Sequence, residues 1–126
     1  MSPARVGGDG LRGGARLWRA VRVGLNAFAW GWREEEALRW HIVACTLALP
    51  AAWWFGQGGV ERALLWGSVV FCFVVELLNT AVEITVDRIS TEHHALSGLA
   101  KDLGSLAVAA AIVLATGVWA WVLLGR

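Results

Sequence analysis

Apolar positions divide this chain into four stretches with different periods. In the first, Trp18, Val21, Leu25, Phe28 and Trp32 recur at alternate spacings of three and four, with Arg12, Arg16 and Arg19 on the opposite side. That spacing predicts an amphipathic helix over about residues 15–33. An aromatic face with an arginine stripe suits a membrane surface, where the arginines meet anionic headgroups or phosphates, although any one of them is equally explained as solvated charge. The other stretches are apolar on most sides and predict three membrane spans, over about 38–55, 62–86 and 102–124. The first span is short and must stand nearly upright or thin the bilayer, and Pro50 is tolerated in it because neighbouring helices re-satisfy the freed carbonyl. Gln57-Gly58-Gly59 supplies the turn into the second span. From Leu103 to Leu124 there is no charge at all.

Composition narrows the class. With 57% hydrophobic and 17% charged residues in 126 positions, and a mean hydropathy of +0.56, the chain is a single domain too apolar to be an ordinary soluble one. A globular kinase, a two-half dinucleotide fold or a βα barrel needs about 200 residues or more and does not fit. Nine Trp and 15 Gly agree with membrane helices and their interfaces. Residues 1–14 read as a flexible polar leader. Gly8-Asp9-Gly10-Leu11-Arg12-Gly13 inside it spells G-x-G-x-x-G, but a dinucleotide loop requires a preceding strand, and Met1 to Gly7 offers none. No removable signal peptide is expected. Cys45 and Cys72 sit in apolar runs without metal spacing and read as buried, reduced thiols.

The net charge of +1 hides an asymmetry, since seven of the eleven basic residues (Arg5, Arg12, Arg16, Arg19, Arg22, Arg33 and Arg39) precede position 40. The segment carries no nucleic-acid recognition motif, so nucleic acid is not an expected partner. The positive-inside rule instead places the N-terminus in the cytoplasm, which leaves Arg126 outside and the loop from Arg88 to Lys101 inside. Trp30, Trp32 and Trp40 then mark the inner interface, and Trp53, Trp54, Trp119 and Trp121 the outer one.

The second span carries the chemistry. Glu76, Asn79, Glu83 and Asp87 share one helical face. Carboxylates facing hydrocarbon are costly, so this face looks into a protein interior, a wet cleft or a bound cation. Asn79 also reads as an interhelical hydrogen bond, and Asp87 either as a solvated helix end or as a partner of Arg88. Two carboxylates beside a phosphate suit Mg²⁺, and a carboxylate in partly apolar surroundings suits proton abstraction from a hydroxyl. Glu34-Glu35-Glu36, just before the first span, offers a further metal ligand or a helix N-terminal charge. Lys101-Asp102 opens the third span, where the lysine meets a phosphate or snorkels. No P-loop accompanies it. Glu92-His93-His94 has no zinc spacing and reads as a solvated loop.

The run Glu76-Leu77-Leu78-Asn79-Thr80-Ala81-Val82-Glu83, followed by Asp87-Arg88-Ile89, Glu92, His94-Ala95-Leu96-Ser97-Gly98, Ala100-Lys101-Asp102 and Gly104-Ser105, resembles the bacterial diacylglycerol kinase family of integral membrane lipid kinases. The likeness extends from about Arg16 to the end of the chain. It implies an all-α homotrimeric bundle, each subunit a surface helix plus three transmembrane helices, with composite sites at subunit boundaries in the bacterial inner membrane. The implied reaction is ATP-dependent phosphorylation of diacylglycerol to phosphatidic acid. Carried over by motif position, Glu76 is the general base, Glu83 and Glu35 hold Mg²⁺ on the phosphates, and Asn79 supports them. Arg16, Glu92, His94, Lys101 and Asp102 would contact nucleotide, with Ser105, and Arg16 again, at the lipid. His41 departs from the acid usual in this branch and is similar to undecaprenol kinases, whereas Leu96-Ser97-Gly98 and Gly104-Ser105 follow the diacylglycerol branch. His93 stands where an aromatic is usual. A channel or structural oligomer with Glu76 and Glu83 along a pathway is the reading from another class.

Overall fold

The computed structural model describes residues 13–89 and 92–125. Most of the predicted leader, with Arg5, Arg12 and the glycine pattern up to Gly13, lies outside them, as does Arg126. The described residues form four helices and no strand: α1 (Gly13–Glu34), α2 (Glu36–Phe55), α3 (Gly59–Ile89) and α4 (Ala95–Leu124). The chain divides into two units, one ending at Glu35 and the other beginning at Glu36. In the first, Trp18, Val21 and Leu25 on the apolar side of α1 are exposed. The helix is amphipathic, as its spacing predicts.

In the second unit α3 packs against both α2 and α4. The contact is made by small residues and a few branched ones: Ala52 and Leu65 are fully covered, and Val69, Cys72 and Ala111 are buried. Small side chains let helix backbones approach, which dispersion and hydrogen bonding then reward. The Cys72 thiol donates to the Ala111 carbonyl at 3.1 Å, tying α3 to α4, and the Cys45 thiol lies 3.9 Å from the Val69 carbonyl, linking α2 to α3. Both cysteines are free thiols, Cys72 buried and Cys45 half-buried. Thr46, Thr85 and Thr116 turn their hydroxyls back onto carbonyls four residues earlier at 2.7, 2.7 and 2.8 Å. This satisfies each hydroxyl without water.

The α2–α3 turn is tight and specific. Gly56 donates to Ala52 O at 3.1 Å, and a side chain at Gly56 would run into the Cγ of Arg62. Arg62 returns Nε to Gly56 O at 3.0 Å and stacks its guanidinium 4.6 Å from the ring centre of Trp53. Gln57 N–H donates to Glu61 Oε2 at 2.9 Å, which satisfies an amide of the turn just ahead of α3.

α3 and α4 are long and apolar enough to cross a membrane. At 31 and 30 residues they run about 45 Å, well beyond a hydrocarbon core of about 30 Å. The surplus carries the charged ends of both helices. α4 leaves Leu106, Val113 and Leu124 open, Val113 at 72%, a surface compatible with lipid or neighbouring chains rather than water.

α3 continues to Ile89 and α4 begins at Ala95, so much of the stretch from Arg88 to Lys101, expected as a loop, is helical. Leu96, Leu99 and Leu103 extend the helical period through that stretch, and His94 caps it. Leu65→Ala is expected to lower stability by about 2 kcal/mol, through the cavity it leaves, in an unfolding titration in mixed micelles.

Candidate functional site

The polar face of α3 is graded in depth. Glu76 is 2% exposed, Asn79 9%, Glu83 is half-buried and Asp87 is exposed. Two helical turns, about 10 Å, separate Glu76 from Glu83 along the axis. The helix thus carries one carboxylate in its packed interior and another near its exposed end.

Each member has a defined neighbour. Asn79 Nδ2 donates to Glu83 Oε1 at 3.3 Å, which holds one edge of that carboxylate. The Oδ1 of Asn79 is buried without a hydrogen bond among the described residues. It lies against α4 at Gly104, where a Cβ would collide with Oδ1 and stand 3.2 Å from Cγ. The missing side chain at 104 is what admits the amide. At the exposed end Lys101 Nζ pairs with Asp87 Oδ1 at 2.6 Å. Asp87 is therefore tied to α4; Arg88, adjacent in sequence, points elsewhere because neighbouring helical residues diverge by about 100°.

His41 of α2 approaches the deep end, with Nδ1 3.7 Å from Glu76 Oε2 and 3.2 Å from the Ala37 carbonyl. It also borders a cavity of about 370 Å³, walled mainly by apolar groups, including Cys45, Val69, Cys72 and Ile112. Cys72 is one turn from Glu76 on α3. His41 is thus the residue shared by the cavity wall and the contact with the buried carboxylate.

His94 is the N-cap of α4, in extended conformation (φ −127°, ψ 133°), with Nδ1 accepting from the Leu96 N–H at 3.2 Å. An Nδ1 that accepts leaves the proton of a neutral imidazole on Nε2. Glu92, Asp102 and Ser105 are exposed, the last two on the second and third turns of α4. Arg16 lies in α1 and Glu35 between α1 and α2, both within the first unit. Glu35 donates its N–H to Gly31 O at 2.9 Å, and Glu36 receives a long 3.5 Å contact from Trp40 Nε1.

Among the described residues no three His, Cys, Asp or Glu side chains converge as a complete metal cage. That donor set fits Mg²⁺ in one respect, since this ion is commonly held by one or two carboxylates, phosphates and water. Glu83, half-buried and steadied by Asn79, would be the carboxylate of this face to hold it. The contacts of Gly104 with Asn79 and of His41 with Glu76 are the parts that sequence reasoning missed. Glycine at 104 stood in the quoted motif without a stated job, and only the helix crossing gives it one.

Helical packing, apolar spanning helices and a graded carboxylate face define a helical membrane protein with a polar site opening at one end of its bundle. A sequence model of the prokaryotic diacylglycerol kinase family matches residues 22–123. The diacylglycerol kinase of Escherichia coli K12 is 41% identical over 107 residues, 85% of this chain and 88% of that protein. That of Pseudomonas aeruginosa PAO1 is 39% identical over 126 residues, 99% of this chain and 100% of its own. The enzyme of Haemophilus influenzae Rd is 36% identical over 107 residues, 85% and 91% of the two chains. The chain belongs to the prokaryotic diacylglycerol kinase family, and is accordingly a kinase of lipid metabolism.

Gly104→Ala is expected to displace the Asn79 amide and loosen its hold on Glu83. Phosphorylation should fall by about tenfold or more, because small displacements of positioned groups are costly in rate. Lipid-kinase assay and circular dichroism on the same preparation separate this from loss of fold.

Proposed function

We propose that the chain transfers the γ-phosphoryl group of ATP to diacylglycerol at the inner face of the bacterial inner membrane, giving phosphatidic acid. The observation that carries this reading is the depth gradient on α3, with a buried carboxylate two turns below one near the exposed end. A lipid hydroxyl is presented from the apolar side and a nucleotide from the aqueous side, so such a face meets both substrates. The mainly apolar cavity lined by His41 and Cys72 supports this reading, since His41 also approaches Glu76.

In this reading Glu76 takes the proton of the acceptor hydroxyl as its oxygen bonds to the γ-phosphorus, while the bond from that phosphorus to the β,γ-bridging oxygen breaks and ADP leaves. Glu83 and Glu35 would hold Mg²⁺, which neutralises charge on the phosphates. Asn79 keeps Glu83 in place. Lys101 offers its ammonium to a phosphate when released from Asp87, and Arg16, Glu92, His94 and Asp102 contribute to nucleotide binding. The Nε2–H of capped His94 is the donor available for that role. Ser105 and Arg16 assist the lipid. Three copies, each with α1 on the surface and α2, α3 and α4 across the bilayer, would complete one another's sites, with the N-terminus cytoplasmic.

Purified protein assayed with Mg-ATP against diacylglycerol and undecaprenol in parallel tests the acceptor, and turnover confined to undecaprenol would reassign it. Glu76→Gln is expected to lower turnover by about 10²- to 10⁴-fold, the range of general base catalysis, in a chain that remains folded. Near-normal turnover in that variant removes Glu76 from the role. Glu83→Gln should raise the Mg²⁺ concentration needed for half-maximal rate, and an unchanged metal dependence would exclude it as a ligand.

A further inference from the structure

His41 lies on α2, outside the polar face of α3, and has no part in the reaction as described above. Its imidazole is only 20% exposed, and Nδ1 stands 3.7 Å from Oε2 of Glu76, a carboxylate 3% exposed. The register of the hairpin produces this approach. Arg62 covers Trp53 next to the turn, Cys45 reaches the Val69 carbonyl further along, and His41 meets Glu76 beyond that, in antiparallel order. The tight turn at Gly56 therefore fixes which residue of α2 stands opposite the buried carboxylate.

The second neighbour of Nδ1 decides its proton. The Ala37 carbonyl, 3.2 Å away, only accepts, so Nδ1 carries the hydrogen and presents it to an edge shared by the carbonyl and the carboxylate. At 3.7 Å the second contact is longer than a hydrogen bond, and bonds of this kind commonly shorten when substrate closes a site. A carboxylate on a long, flexible side chain needs such a hold if it is to meet a hydroxyl in one orientation.

We infer that His41 is a positioning residue for Glu76, its Nδ1–H steering the carboxylate through Oε2 toward the acceptor hydroxyl. This rests on the reading of Glu76 as the proton acceptor. It assigns a part in the phosphotransfer to a helix otherwise present only as packing.

The test compares His41→Ala, His41→Asn and His41→Gln in the full chain, with Mg-ATP and diacylglycerol in mixed micelles. An Asn amide reaches the position of Nδ1, and a Gln amide the position of Nε2. His41→Ala is expected to lower kcat by about tenfold or more, the scale of a misaligned reacting group, while KM for ATP stays within about twofold. His41→Asn should recover most of the lost kcat and His41→Gln should not. Equal activities of the Asn and Gln variants overturn the proposal, also where the Ala variant does not fold, as does a His41→Ala kcat close to that of the parent. Glu76→Gln runs alongside. If it remains active, the reading of Glu76 fails; if it is inactive while His41→Ala is unimpaired, only the role of His41 fails.

Discussion

A carboxylate placed in hydrocarbon costs several kcal/mol unless something answers its charge, and α3 carries two within or beside its apolar run. The arrangement of the second unit follows from how that cost is met. Glu76 is turned into the contact with α2, where an imidazole stands, and Glu83 is kept near the charged end and steadied by an amide. A helix with polar groups on one side must be covered on that side and can face lipid on the others. α3 accordingly takes the central position, flanked by α2 and α4, while α4 turns most of its surface outward.

The same requirement explains why the packed surfaces are made of small residues. Asn79 can stay buried only because α4 has no side chain at 104, and Cys72 bonds the Ala111 carbonyl only because Ala111 lets the helices come close. Polar groups and tight packing are thus one device. Enlarging a small residue at this crossing disturbs a polar group, and removing the polar group leaves a gap.

Much of this was legible in the chain. The helical period, the apolar runs and the shared face of Glu76, Asn79 and Glu83 follow from spacing alone, because each is local to one helix. The helix start at Ala95 is harder to read, since the uncharged run from Leu103 outweighs the weaker period of Leu96 and Leu99. Pairing between helices was not legible. Spacing offers Asp87 only solvent or its neighbour Arg88, whereas its partner is Lys101, from the start of the next helix. The meetings of His41 with Glu76 and of Gly104 with Asn79 depend on helix register, which no periodicity within a single helix contains. Glu35 and Arg16 belong to the other unit, so their part in the site rests on resemblance and chemistry.

Lys101 is the only lysine in the sequence, and its ammonium is bonded to Asp87 at 2.6 Å while remaining partly exposed. Chemically, this gives the protein a single side-chain amine, located where the charged ends of α3 and α4 meet. An isotope on lysine would report from that place alone, with no background from the rest of the chain. The other ten of the eleven Lys and Arg side chains are arginine, a planar fork rather than a compact ammonium. The single ammonium side chain thus stands at the mouth of the polar face.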